Sequence, residues 1–149
     1  IKFKRYMNYL IDEKFRSKIL DELFRVFKIK EKVNEFYMNR SDVKYLKKLG
    51  MIIGSHAHSH QILSKIKKSE QNKEITKSRK FLEKITKSKI NYFCYPFGRK
   101  YSYNLNTISI LKKKKFKFAF SVESRDADLD NKKEKLELPR YDTNTFLGK

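Results

Sequence analysis

The stretch MIIGSHAHSHQ, residues 51–61, joins a short apolar run to the three histidines of the chain, His56, His58 and His60. The apolar run at residues 51–54 predicts a short buried strand, so the histidines follow the carboxyl end of that strand. In parallel α/β proteins this end of a strand is where binding sites are built. The stretch therefore predicts a fold class and the position of a site together.

Three histidines within five residues indicate a metal site, because neutral imidazole is a preferred ligand of zinc. If the segment were extended, all three side chains would point to the same side of the chain. If it turned into a helix after Gly54, His56 and His60 would share a face and His58 would point away. We expect the helical arrangement. A chance cluster of histidines without a metal is the alternative.

The rest of the chain shows helical patterns, which alternate with strands from residue 40 onward and predict parallel βα units. Asn39 and Asp42 predict a helix capping box, and Gly50 predicts the end of that helix. Amphipathic helices are predicted at residues 6–28 (in one or two pieces), 69–87 with Ile75, Leu82 and Ile85 on one face, and 103–115 with Leu105, Ile108 and Leu111 inward.

Strand patterns follow two of these helices, and a third strand is expected near the end of the chain. Besides residues 51–54, strands are predicted at residues 91–98, 116–122 and 136–142. Both an open sheet and a barrel are compatible with this order. The predicted fold class is α/β.

The composition excludes several classes of protein. The formal net charge is +20, but only 8 of the 37 basic residues are arginine, and the lysines are scattered along the chain. We therefore expect a solvated basic surface and no specific nucleic-acid partner. Cys94 is the single cysteine, so no disulfide forms within the chain. The sequence shows neither a signal-peptide pattern nor an apolar run long enough for a membrane span, so the cytoplasm is the expected location.

Several segments resemble the polysaccharide deacetylase (NodB-type) family. The stretch IGSHAHSHQILSKI, residues 53–66, resembles the second motif of that family, in which two histidines four residues apart bind a divalent metal. YFCYPFG, residues 92–98, is similar to the third motif, and LPRYDTNTF, residues 138–146, resembles a late segment with an arginine after Leu-Pro. The resemblance covers residues 36–146 in the family's order.

The resemblance implies a partial, distorted (β/α) barrel over residues 1–149, with a helical lead-in at 1–35 and a matched region at 36–149. It implies a metal-dependent hydrolase that removes N-acetyl groups from a carbohydrate, with an N-acetylated glycan as substrate. Zinc is the expected metal, and His56 and His60 are its expected ligands. An amidohydrolase-type or phosphoesterase metal hydrolase is the alternative enzyme, and a basic module that binds anionic polymers is the alternative without catalysis.

The resemblance also implies roles for residues around the histidines. The backbone N–H of Phe97 would stabilise the oxyanion, and Arg140 would orient the catalytic base. Tyr95, Pro96 and Tyr101 would contact the substrate. Against these stand packing roles: Phe97 as an aromatic core residue, Arg140 as a surface charge, and the tyrosines, Tyr103 included, as buried core residues.

The chain departs from the family pattern in four respects. It has no adjacent Asp pair, which in the Thr-Phe-Asp-Asp motif supplies a third metal ligand and the base. Ala57 stands where the family usually has Ser or Thr, and Cys94 where it usually has Arg. No histidine follows His60. We therefore expect a C-terminal portion or a degenerate copy of such an enzyme, inactive on its own.

Overall fold

The computed structural model describes residues 2–30, 36–128, 130, 134–143 and 146. The chain divides into two compact units, Ile1–Met38 and Asn39–Lys149. Among the described residues, no helix combines the length and the apolar character that a bilayer crossing requires.

In the first unit, the described residues from Lys2 to Val26 are helical apart from a break at Ile11 and Asp12. Helix α1 (Lys2–Arg5) continues into a π-helical turn, Tyr6–Leu10, and helix α2 spans Glu13–Val26. Ile11 between them is extended, and the Asp12 side chain caps α2 by accepting from the backbone N–H of Lys14 at 3.2 Å. The amphipathic pattern of residues 6–28 is thus confirmed as helix, in two pieces.

The second unit begins with helix α3 (Arg40–Lys48), which has the caps that its sequence predicts. The Asn39 side chain accepts from the backbone N–H groups of Ser41 and Asp42, and the Asp42 carboxylate accepts from the Asn39 N–H at 2.8 Å. Gly50 follows with a φ of 85°, a conformation in which a Cβ is costly. The predicted capping box and glycine stop are confirmed.

Two further helices cover the sheet: α4 (Lys68–Thr86) and α5 (Leu105–Lys113). Ile75 and Ile85 of α4 are buried, as their spacing predicts. In α5 the buried side chains are Thr107, Ile110 and Leu111, whereas Leu105 is 83% exposed. The prediction that Leu105 faces inward is therefore wrong, because two residues along a helix correspond to a rotation of about 200° from Thr107.

The sheet is parallel and small. Strands β1 (Tyr92–Cys94) and β2 (Phe118–Phe120) pair with Phe93 opposite Ala119. Single parallel bridges extend the pairing on each side, from Ser55 to Phe93 and from Phe120 to Leu138. The four segments therefore lie in the order Ser55, β1, β2, Leu138, and the predicted parallel α/β class is confirmed.

The predicted strand at residues 51–54 is not buried, and only the next residue pairs with the sheet. Met51 is 54% exposed and Ile52 is 69% exposed, while Ile53 packs against the core. Among the described residues the backbone on this side pairs only through Ser55, so the apolar run lacks the neighbours that would bury it. A strand was also predicted at residues 136–142, and there the structure shows a single bridge, at Leu138.

Candidate metal centre

The pairing of Ser55 with strand β1 places the next residue, His56, beside that strand. The Ser55 N–H donates to the Tyr92 carbonyl at 2.9 Å, and the Cys94 N–H donates to the Ser55 carbonyl at 2.9 Å. Gly54 allows this approach, because a Cβ there would lie 3.2 Å from the Tyr92 carbonyl oxygen. The sheet thereby fixes the backbone immediately before His56.

The His56 ring is held by a hydrogen bond to the backbone. Its Nδ1 lies 2.8 Å from the carbonyl oxygen of Cys94. Because a carbonyl oxygen only accepts, Nδ1 carries the hydrogen of the neutral ring, and Nε2 keeps its lone pair. A hydrogen bond of this kind, from the second ring nitrogen to a carbonyl, is how proteins orient metal-binding histidines.

His60 lies against His56. Their ring centroids are 4.8 Å apart at an interplanar angle of 65°, and both side chains are exposed. The segment between them is a loop, with left-handed backbone at Ala57 (φ 60°) and His60 (φ 57°). The predicted helical turn after Gly54 is therefore wrong, because a right-handed helix cannot contain left-handed residues. The structure nevertheless brings together the two side chains that the sequence predicted as ligands.

A glutamate that the sequence did not indicate holds the middle of this loop. Glu74 of α4 accepts from the backbone N–H of His58 at 3.0 Å and from that of Ser59 at 2.7 Å, both on Oε2. No motif pointed to Glu74, because it lies on a different element and contacts the backbone of the loop instead of a recognisable side chain.

The turn at residues 95–98 lies next to His60. The Phe97 ring centroid is 4.8 Å from that of His60, and Phe97 has a φ of 62°. Gly98 also has a positive φ, 68°, and its carbonyl accepts from the Val122 N–H at 3.0 Å. The turn is thus fixed to Val122, two residues after β2, and the Phe97 ring lies beside the His60 ring.

The tyrosines near this turn divide between the core and the surface. Tyr95 is 1% exposed, donates its hydroxyl to the Leu136 carbonyl at 2.6 Å, and stacks on Tyr103 with centroids 3.8 Å apart. Burial raises the pKa of both hydroxyls. Pro96 is also fully buried, so Tyr95 and Pro96 present no ring face to a sugar. Tyr101 is 55% exposed and is the one of the three predicted substrate contacts that faces solvent.

Comparison with known proteins identifies the family. The family model of polysaccharide deacetylases matches residues 23–125 of the chain. The chain belongs to the polysaccharide deacetylase family. A comparison with curated proteins gives no significant match.

Solved structures of deacetylases share the fold. The Streptococcus pyogenes deacetylase PplD, in complex with acetate, is 25% identical with a TM-score of 0.63 and covers 70% of this chain and 44% of its own. BC0361, a polysaccharide deacetylase from Bacillus cereus, is 23% identical with a TM-score of 0.62. The match covers 80% of this chain and 42% of BC0361. A family 4 carbohydrate esterase from Streptomyces lividans, in complex with acetate, is 20% identical with a TM-score of 0.51. The match covers 59% of this chain and 45% of the esterase. The chain thus spans less than half the length of each of these proteins.

In this polysaccharide deacetylase chain, the charge of an arginine from the late segment acts on the Cys94 thiol. Burial raises the pKa of the Cys94 thiol, and the positive charge of Arg140 opposes that rise. Arg140 is exposed, and its backbone N–H donates to the Glu123 carbonyl at 3.0 Å.

The residues present fit two positions of a metal site. His56 offers Nε2 as a neutral donor, and the His60 ring lies beside it. In the part of the chain that the structure describes, no group of three histidine, cysteine, aspartate or glutamate side chains is arranged to hold a metal ion. Catalytic zinc sites use three protein ligands, so this chain's described residues provide an incomplete set.

Proposed function

We propose that the chain contributes the two-histidine part of the metal centre in a hydrolase that removes N-acetyl groups from a carbohydrate. The observation that carries this proposal is the pair of rings 4.8 Å apart, with the His56 tautomer set by the Cys94 carbonyl. Membership of the polysaccharide deacetylase family supports the substrate class. Zinc, held by His56 and His60, would supply Lewis acidity toward the acetamide oxygen and would acidify water.

Other residues of the chain would act around the acetamide group. In our proposal the Phe97 backbone N–H donates to the oxygen on which negative charge develops, a role that is worth about 3 kcal/mol in other hydrolases. The Phe97 ring, which lies against His60, would limit the access of water from that side. Arg140 would orient the carboxylate that takes a proton from water, and Tyr101, being exposed, would contact the glycan.

In our proposal the third metal ligand and the catalytic base are carboxylates that residues 1–149 do not include. We propose that they belong to a Thr-Phe-Asp-Asp motif, on a strand that pairs at the Ser55 edge of a distorted (β/α) barrel. The helical lead-in at residues 1–35 and the matched region at 36–149 would then be parts of a longer catalytic domain. The chain alone should bind zinc weakly and should release no acetate from N-acetylated oligosaccharides.

A fusion experiment tests this assignment. The chain is joined to the N-terminal segment of a polysaccharide deacetylase that carries the Thr-Phe-Asp-Asp motif, and folding is checked by circular dichroism. Zinc affinity should rise and acetate release should appear. The matched control is the same fusion with both aspartates of the motif changed to asparagine, which should show neither gain. Chelator-sensitive turnover by the chain alone would show instead that another carboxylate fills the role.

A further inference from the structure

We infer that Glu74 is a positioning residue, which fixes the loop between His56 and His60 in the conformation that brings their rings together. The inference rests on the proposed function for the part that concerns metal binding. Its structural part, the fixing of the loop, stands on hydrogen bonds that are present without a metal.

The loop presents two successive backbone N–H groups to one carboxylate oxygen. The N–H groups of His58 and Ser59 both point to Oε2 of Glu74, at 3.0 and 2.7 Å. Two adjacent N–H groups that converge in this way form a small anion-accepting concavity, and hydrogen bonds to an ionised carboxylate are stronger than neutral ones. The carboxylate thus occupies the concavity at the centre of the segment that separates the two histidines.

The loop needs such a fixed point, because its backbone is not in a common conformation. Ala57 and His60, which enclose the bonded residues, both have φ near 60° and are not glycine. Backbone of this kind persists only when the surroundings determine it. His58 and Ser59 are exposed, so water could satisfy their N–H groups in other conformations. The carboxylate selects the one conformation in which the rings of His56 and His60 meet.

Glu74 connects the loop to a helix that is packed into the core. It belongs to helix α4, and its chain neighbour Ile75 is fully buried, as is Gln71 one turn earlier. His56 is fixed independently, through Cys94 of the sheet. The loop is therefore attached to the sheet at its start and to the helix at its middle.

The test compares three variants of the full chain: Glu74→Ala, Glu74→Gln and Glu70→Ala. Glu70 is the matched control. It lies on the same helix as Glu74, and its carboxylate also accepts from a backbone N–H, that of Lys67 at 2.9 Å. Hydrogen exchange of the His58 and Ser59 amides is measured without metal, and zinc affinity is measured by competition with a chromophoric chelator.

Glu74→Ala should accelerate exchange at both amides by about tenfold or more and should weaken zinc binding by roughly 10- to 100-fold, as loss of an outer-shell partner does. The exchange rate and the zinc affinity of Glu74→Gln should lie between those of Glu74→Ala and the wild type. Glu70→Ala should change neither quantity. If Glu74→Ala matched Glu70→Ala in both measurements, the inference would be overturned. If the wild type bound no zinc while Glu74→Ala still exposed the amides, the proposed function would fail and the fixing of the loop would stand.

Discussion

Ser55, immediately before His56, buries a hydroxyl that has no hydrogen-bond partner among the described residues. The residue is 1% exposed, so bulk solvent does not reach the hydroxyl. A buried polar group without a partner costs about 1–3 kcal/mol. The structure therefore places an unsatisfied group directly beside the candidate metal ligands.

We predict that Ser55→Ala leaves the free energy of unfolding unchanged or raises it by up to about 1 kcal/mol, because it removes that unsatisfied hydroxyl. Ser102→Ala is the matched control. Ser102 is equally buried, but its hydroxyl donates to the Arg99 carbonyl at 2.7 Å, so its loss should cost about 1 kcal/mol. Urea unfolding of both variants makes the comparison. Equal destabilisation would mean that the Ser55 hydroxyl has a partner after all.

At the scale of elements, the turn at residues 95–98 depends on close contact with Val122, which follows β2. Gly98 has a φ of 68°, and a Cβ there would lie 2.7 Å from Cγ1 of Val122. Gly50, after α3, has a φ of 85°, but a Cβ there would meet no atom within 4 Å among the described residues. The two glycines therefore separate the cost of left-handed backbone from the cost of a steric contact.

We predict that Gly50→Ala lowers the free energy of unfolding by about 1 kcal/mol, the usual cost of a left-handed non-glycine residue. Gly98→Ala should cost more, by a further 1–3 kcal/mol or so for overpacking against Val122. Adding Val122→Ala should recover part of the steric cost and none of the backbone cost. Chemical denaturation measures all three, and a Gly98→Ala variant no less stable than Gly50→Ala would contradict the close contact.

Local signals predicted the elements that local physics determines. The Asn39–Asp42 capping box and the buried spacing of Ile75 and Ile85 depend on neighbours three to ten residues away. The histidine pair was also predicted, but for a wrong geometric reason. Nothing in the identity of Ala57 indicates a positive φ, and only tertiary contacts select one.

Long-range contacts explain the remaining differences. Glu74 reaches the loop across 15 residues of chain, and such a contact leaves no periodic pattern. The apolar run at residues 51–54 has the composition of a buried strand, yet the described residues provide it with a partner only at Ser55. Burial of that run depends on neighbours that its own sequence does not specify.

At the scale of the whole molecule, the core contains a pair of stacked tyrosines whose ionisation is suppressed. Burial, with the nearby Glu137 charge, raises the pKa of the Tyr95 and Tyr103 hydroxyls above the ordinary value of 10.0. Both groups stay neutral in the folded chain at a pH where unfolded tyrosine ionises. Their contribution to stability is thus fully present below pH 10.0 and is lost as the pH rises beyond it.

We predict that the free energy of unfolding falls above about pH 10, by up to roughly 1.4 kcal/mol per pH unit for each of the two tyrosines. Tyr103→Phe cannot ionise at that position, so its decline should be shallower than that of the wild type. Urea unfolding between pH 8 and 11 measures both slopes. Parallel slopes would show that Tyr103 ionises alike in the folded and unfolded chains.

The central claim concerns which histidines form the metal pair. The structure places the His56 and His60 rings together, and Glu74 holds His58 through its backbone N–H, a contact that does not need the imidazole. Zinc stoichiometry, measured by equilibrium dialysis on three single alanine variants, tests the claim most directly. His58→Ala should retain the zinc bound by the wild type, while His56→Ala and His60→Ala should each lose it. Loss of zinc from His58→Ala as complete as from the other two would contradict the account.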